Sequence, residues 1–390
     1  MRSDLIAHIN LDHLRHNFES LRARVGPKVR ICAPLKADAY GHGIHVVAPA
    51  LQRLGCDFAA VANVPEAVEL RQLGWTGEIL LLGNTLAVLD EDECRERIEA
   101  ITHHHLTVTI AEPSAIEKLA VRPLLWANEP IDVHLKLDTG MGRMGVMPSS
   151  AEDLARRILS APHLKLRGVY SHFATADLSL TDLVDRQLSA FREIMSRLGD
   201  FLPPGVIRHF ANSAATIALP QAHYDMVRPG LSLYGYHPGP QFLNAIDLKP
   251  ILRVLSHVTL IKDLAVGHCV GYGQTFTTSR PTRLGIVPAG YFDGFIRGLS
   301  NLGAVGVAGG IAPVIGRISM DQLAIDLTDL TAATLGSEVV LVDDRPQEPH
   351  SVARIADRLG TIPYEVTCLL GPRINRIPVG ENGAFSGRHS

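Results

Sequence analysis

Eight short apolar runs, each followed by a stretch of helical character, constrain this chain more than any other feature. The runs are Val29–Leu35, Phe58–Ala62, Ile79–Leu82, Leu106–Ile110, Ile131–Leu137, Leu164–Tyr170, Val206–Phe210 and Met226–Tyr234. Amphipathic segments such as Val64–Gln72, Ser114–Leu119, Glu152–Leu159 and Asp182–Leu198 lie between them. Short runs rich in Val, Ile and Leu suit strands buried on both faces, as parallel sheets require. About eight β–α units in roughly 240 residues match a (β/α)8 barrel, for which about 250 residues is typical. A doubly wound sheet shares the local pattern, and the strand count favours the barrel. Ser149-Ser150-Ala151-Glu152 reads as a capping box, with Ser149 as N-cap and Glu152 reaching back to its amide.

After about Pro240 the pattern changes. Strand-like runs now succeed one another: Leu252–Ile261, Arg283–Pro288, Ile311–Ile315, Ala324–Leu327 and Glu338–Val342, with one helix at Ser351–Leu359. The expected fold is therefore α/β: an N-terminal (β/α)8 barrel ending near residue 240, then a mostly β C-terminal domain over 241–390. Tyr236-His-Pro-Gly-Pro240 reads as the linker. A length of 390 residues fits two domains.

A chain that is 46% hydrophobic and 20% charged is not of the disordered kind. With 37 basic and 40 acidic residues and no basic stripe, nucleic acid is a poor partner. No apolar stretch reaches membrane-spanning length, and Met1–His8 lacks a signal-peptide core. The five cysteines (Cys32, Cys56, Cys94, Cys269 and Cys368) are widely spaced, which fits free thiols in a reducing cytoplasm.

Barrels of this kind place their active sites at the C-terminal ends of the strands. The first expected strand ends at Lys36. The fifth carries Lys136 and Asp138, then Arg143. The sixth ends at His172, the seventh at Asn212-Ser213, and the eighth carries Arg228 and Gly230. Spacing alone leaves two readings of Lys36 open. It is either a surface lysine capping a strand or a partly desolvated amine, whose lowered pKa suits imine chemistry. Ser213 and Gly230 stand where barrels often bind phosphate, or else cap a helix and make a turn.

Gly140-Met-Gly-Arg-Met-Gly145 matches GxGxxG literally. The dinucleotide reading is rejected, because the third glycine should open a helix and the expected helix starts later. His103-His104-His105 is not read as a metal site, because neighbours on a strand point to opposite faces.

Lys36-Ala-Asp-Ala-Tyr-Gly-His-Gly43 resembles the cofactor-lysine signature of the alanine racemases. The resemblance continues through Lys136-Leu-Asp-Thr-Gly-Met-Gly-Arg143, Ser171-His-Phe-Ala-Thr-Ala-Asp177, Ala211-Asn-Ser-Ala-Ala215 and Val227-Arg-Pro-Gly230. In the second domain it takes in Gly271-Tyr-Gly273, Gly290-Tyr-Phe-Asp-Gly294, Gly316-Arg-Ile-Ser-Met-Asp321 and Thr361-Ile-Pro-Tyr-Glu365.

The resemblance implies a pyridoxal 5'-phosphate barrel starting near His13 (13–240), with the first ~12 residues joining the β domain. It implies a cytoplasmic homodimer with shared active sites, interconverting L- and D-alanine for peptidoglycan. Lys36 would carry the cofactor as a Schiff base and act as one of two proton-transfer bases. Tyr272 of the partner subunit would be the other, because inversion needs a proton removed from one face and returned on the opposite one. A phenol normally keeps its proton near neutral pH, so nearby positive charge is expected from His172 and Arg143. Arg228 would face the pyridine nitrogen, and Arg143 with Met320 would bind the substrate carboxylate. Lys136 matches the lysine that is often carbamylated. Tyr40, Ser213, Gly230, Leu231 and Tyr364 would hold the phosphate, His172 and Asn212 would line the cofactor, and Tyr291 and Asp321 would line the entrance. No metal is implied.

The chain departs from the family pattern at Arg373-Ile-Asn-Arg376, Ser319, Phe292 and Phe295. These leave open a broader or serine-preferring racemase. A barrel-type decarboxylase would want an acidic partner where Arg228 stands, and a non-catalytic cofactor carrier would lack the second domain.

Overall fold

The computed structural model of the chain describes residues 4–87, 89–120, 129–177 and 182–380. Residues 1–3 and 381–390, at the two ends of the expected β domain, lie outside the described residues.

Eight parallel strands close into a barrel: Arg30–Pro34, Phe58–Val61, Glu78–Leu81, Thr107–Ile110, Ile131–Lys136, Leu164–Tyr170, Ile207–His209 and Met226–Val227. The last pairs with the first, Met226 opposite Arg30 and Val227 opposite Ile31. Each strand lies within one of the eight apolar runs or starts one residue outside it.

Alternation along the strands separates outside from inside. Ile31, Ala33, Ala59, Val61, Ile79 and Leu81 belong to the large core shared with the surrounding helices. Cys32, Phe58, Ala60, Leu80, Ile207 and Met226 form a separate cluster, the apolar filling of the barrel. The interior also holds polar groups: Thr109, His134, Lys136, Tyr170, His209 and Arg228 are all buried. The helix Asp182–Leu198 shows how the outer layer forms. It buries Val184, Leu188, Phe191, Ile194 and Leu198, spaced three or four residues apart on one face. Burying each such side chain contributes about 1.5–3 kcal/mol.

In the second domain six strands run in the order Gly310–Pro313, Ala304–Val307, Glu338–Val342, Leu252–His257, Ile6–Asn10, Asn375–Val379. Ile6–Asn10 pairs antiparallel with Leu252–His257 and parallel with Asn375–Val379. A three-stranded sheet joins Leu260–Leu264, Thr282–Val287 and Leu323–Asp326.

Four local expectations need correction. The run Met226–Tyr234 is a strand only to Val227, and Gly230–Leu233 is a helical turn. Pro229 has no amide to donate to a ladder. Ser149 is not an N-cap. Pro148 opens a 3₁₀ turn that takes Ser149 into it, and the helix Ala151–Ser160 starts without a side-chain cap. Leu252–Ile261 is two strands, because the chain crosses from one sheet to the other at Val258-Thr259. His103 ends the helix Glu91–His103 and His104 caps it, so the strand argument applied to the three histidines had the wrong premise. Among the described residues no helix is long and apolar enough to cross a membrane.

Candidate active site

Lys36 follows the first barrel strand and leads into a left-handed turn. Ala37, Asp38, Ala39 and Tyr40 all have φ between 52° and 56°, and Gly41 follows at 79°. This conformation costs an L-residue roughly 1–2 kcal/mol each, so the surroundings must fix it. The Glu66 carboxylate accepts from the amides of Ala37 (2.9 Å) and Ala62 (2.7 Å). Asp38 Oδ1 accepts from the Ile44 amide at 2.7 Å.

Four cations gather at this mouth. Burial first, then the charge of Arg143, lowers the pKa of Lys36. Lys136 is buried, and its pKa falls to about 8, first from burial and then from Arg228, Arg143 and Lys36. Lys136 Nζ and Arg228 Cζ lie 5.2 and 5.1 Å from the centre of the Tyr170 ring. Arg143 lies in the loop wrapped around Asp138, whose Oδ1 accepts from the amides of Gly140 (3.0 Å), Met141 (2.9 Å) and Gly142 (3.1 Å). The GxGxxG loop thus encloses the chain's own carboxylate. Among the described residues no carboxylate forms an ion pair with Lys36, Lys136, Arg143 or Arg228. Glu66 and Asp138 are nearby but are engaged by backbone amides, so several cations without an ion-pair partner make a site for anionic ligands.

Arg228 is 5% exposed and holds a histidine relay. Its Nη1 donates to His209 Nδ1 at 2.6 Å, and His209 Nε2 contacts His134 Nδ1 at 2.8 Å. Because an arginine always donates, Nδ1 of His209 is the acceptor and its protonated Nε2 donates to His134 Nδ1. Arg228 Nη2 donates to the Ser171 carbonyl (2.8 Å) and to His172 Nδ1 (3.3 Å). Burial first, then Arg228, lowers the pKa of His172 far below the ordinary histidine value. His172 is therefore neutral, and the positive charge expected from it is not there. Of the two expected sources, only Arg143 is a cation.

Tyr40, Ser213, Gly230, Leu231 and Tyr364 also come together. A Cβ added to Gly230 would stand 2.6 Å from the Tyr40 hydroxyl, so only glycine leaves that space. The Tyr40 and Tyr364 rings are 5.6 Å apart, and Tyr364 shares a hydrogen bond with Ser213. Burial raises both phenol pKa values, that of Tyr364 to about 12, which keeps both hydroxyls protonated as donors. Phenols, a hydroxyl and an unobstructed backbone suit a phosphate. Asn212 caps the helix Ser213–Ala218, its Oδ1 accepting from the Ala215 amide at 3.1 Å, so the cap is Asn212 and not Ser213.

The remaining expected residues lie on the β domain. Tyr272 is 73% exposed, Met320 50% and Tyr291 43%. Tyr272 borders an open cleft of about 500 Å³ with Lys262, His268, Arg317 and Gln322. Asp321 pairs with Arg373 at 2.8 Å, and Arg373 also holds the buried Asp293.

Residues 9–238 match the alanine racemase N-terminal domain, and 251–378 match the alanine racemase C-terminal domain. The chain belongs to the alanine racemase family. An alanine racemase of Nostoc sp. is 38% identical over 375 residues, 95% of each chain. One of Syntrophobacter fumaroxidans is 39% identical over 379 residues, 96% of this chain and 97% of the relative. The crystal structure of alanine racemase from Bacillus anthracis with bound L-Ala-P superposes with a TM-score of 0.88 at 31% identity, covering 98% of this chain and 96% of that one. The alanine racemase of Clostridium difficile 630 gives a TM-score of 0.89 at 32% identity, covering 98% and 97%.

Within this family frame, sequence reasoning overlooked His134, Tyr170 and His209. Each is a polar residue inside an apolar strand run, and His134 stands two residues before Lys136, hence on the same face. That period was the available signal. Glu66, which clamps the turn after Lys36, had no such signal, because its partners are backbone amides.

Proposed function

We propose that this chain is a pyridoxal-phosphate-dependent racemase that interconverts L- and D-alanine in the cytoplasm and supplies D-alanine for peptidoglycan. The observation that carries the reading is the unpaired cation cluster around a partly buried Lys36, beside a set of phosphate donors. A phosphorylated aldehyde and an amino-acid carboxylate both fit it. Tyr40, Ser213, Gly230, Leu231 and Tyr364 would hold the phosphate, with His172 and Asn212 beside the ring. When bound, pyridoxal phosphate acidifies the α-hydrogen of the amino acid it holds.

The lowered pKa of Lys36 increases the fraction of neutral amine, the form that can attack a carbonyl or accept a proton. Arg228 keeps its proton and so cannot protonate a ring nitrogen facing it. That limits electron withdrawal and favours simple return of the α-proton. Arg228 stands where a decarboxylase reading would require a carboxylate. Arg143 would orient the substrate carboxylate with Met320 of the partner subunit. Lys136, close to neutral at mildly alkaline pH, is suited to carbamylation, which would reverse its charge beside Arg143. Tyr272 of the partner subunit would exchange the proton on the face opposite Lys36, reached past Tyr291 and Asp321. A homodimer is what brings these groups to the barrel.

Borohydride reduction with pyridoxal phosphate should fix the label on the peptide containing Lys36; label elsewhere overturns the assignment. Racemisation of a panel of L-amino acids should be fastest for alanine, and preference for serine or a bulky side chain would shift the substrate assignment.

A further inference from the structure

We propose that Arg376, on the last strand of the β domain, is a positioning residue that latches the left-handed turn behind Lys36. The inference rests on the role given to Lys36 above.

That turn is strained at four consecutive residues, so something must hold its far end. The Gly41 carbonyl accepts from Arg376 Nε at 3.2 Å. Arg376 Nη1 donates to the carbonyls of Gly371 (2.9 Å) and Ile374 (2.9 Å), and Nη2 to that of Leu370 (3.0 Å). One guanidinium therefore serves four carbonyls, one in the barrel and three in the loop after the helix Pro363–Cys368. The side chain is 7% exposed. Its stem fills the space left by Gly43, where an added Cβ would lie 3.1 Å from Arg376 Cβ. The Asp38 carboxylate stands 3.8 Å from Nε. From behind, Arg376 is fixed by the six-stranded sheet, opposite Ala7.

The same helix carries Tyr364, and the same loop carries Arg373, which pairs with Asp293 and Asp321. Arg376 thus keeps the amine of Lys36 in register with a phosphate-holding tyrosine supplied by the other domain. A planar five-donor fork can meet four carbonyls, whereas an ammonium on a flexible stem cannot.

The test compares full-length wild type, Arg376→Met and Arg376→Lys. Without added cofactor, the amides of Gly41, His42 and Gly43, bonded to Ala37, Ala39 and Asp38 carbonyls, should exchange hydrogen about tenfold faster or more in Arg376→Met. Arg376→Lys should fall between, with the barrel strand Ile131–Lys136 unchanged. Affinity for pyridoxal phosphate, read from its absorption, should weaken about tenfold in Arg376→Met, and at saturating cofactor kcat should fall with KM for alanine within about twofold. Unchanged exchange at residues 41–43 with wild-type cofactor affinity overturns the proposal, as does faster exchange spread evenly over both domains. If Arg376→Met does not fold, Arg376→Lys decides by the same readouts. Should wild type itself take up no pyridoxal phosphate, the functional reading fails, while the exchange data still decide whether Arg376 holds the turn.

Discussion

The barrel mouth and the β-domain face around Tyr272 differ in how far one chain completes them. At the mouth, Lys136, Arg228 and His209 are buried and Lys36 is partly so, and their protonation is set by that burial and by one another. On the face, Tyr272, Met320 and Tyr291 stand 73%, 50% and 43% exposed. Large apolar side chains exposed together on one surface suit the subunit contact proposed above. The chemistry of the first set is decided within the chain; that of the second depends on what covers it.

The sharpest way to break this contrast is subunit mixing. Lys36→Ala and Tyr272→Ala should each lose at least about a thousandfold in activity. Dissociated and reassociated together, they should recover up to about a quarter of wild-type sites, because each mixed dimer rebuilds one intact site. No recovery would mean that both bases come from one chain.

Tyr272→Phe should slow α-hydrogen exchange starting from L-alanine by about 10²–10⁴, with exchange from D-alanine far less affected. Equal losses in deuterium incorporation would end the assignment of one base per face.

Acid stability tests the barrel side. Burial first, then Arg228, keeps His134, His172 and His209 neutral, with His134 pushed down to about 3. Unfolded, each binds a proton near pH 6.5. The stability is thus fully present above pH 6.5 and is lost as pH falls, by about 1.4 kcal/mol per unit for each histidine. In urea unfolding between pH 6.5 and 4, His134→Gln should flatten the slope by about one proton. An unchanged slope would place the acid sensitivity elsewhere.

The smallest effect belongs to the entrance. Asp321→Asn removes a surface pair with Arg373, 58% and 44% exposed, and should cost 0.2–1 kcal/mol in thermal unfolding. A larger loss would mean this face is more ordered within one chain than its exposure indicates.

The barrel was legible because a parallel sheet buries both faces of every strand, so each strand shows as a bare apolar run. Val64–Gln72 and Asp182–Leu198 are helices with the bounds their periodicity indicated. The cation cluster was legible as strand-end residues once the barrel was assumed. The turn at Ala37–Tyr40 was not, because Ala and Tyr disfavour a left-handed backbone and one Asp does not announce four such residues in a row; tertiary hydrogen bonds impose it. Nor was the charge of His172, which depends on burial beside Arg228. The strands Ala304–Val307 and Asn375–Val379 escaped notice because glycine, proline and charged residues interrupt their apolar pattern.

Ile6–Asn10 lies between Leu252–His257 and Asn375–Val379, so the first strand made pairs with the last. On a ribosome adding about 5–20 residues per second, that strand emerges on the order of 20–70 s before its final neighbour. Both of its ladder edges lack a partner until Leu252–His257 emerges, and one still does until Asn375–Val379 follows, while the barrel strands in between can already close on themselves. The nascent chain therefore carries a dangling ribbon that a neighbouring nascent copy or a chaperone can meet first.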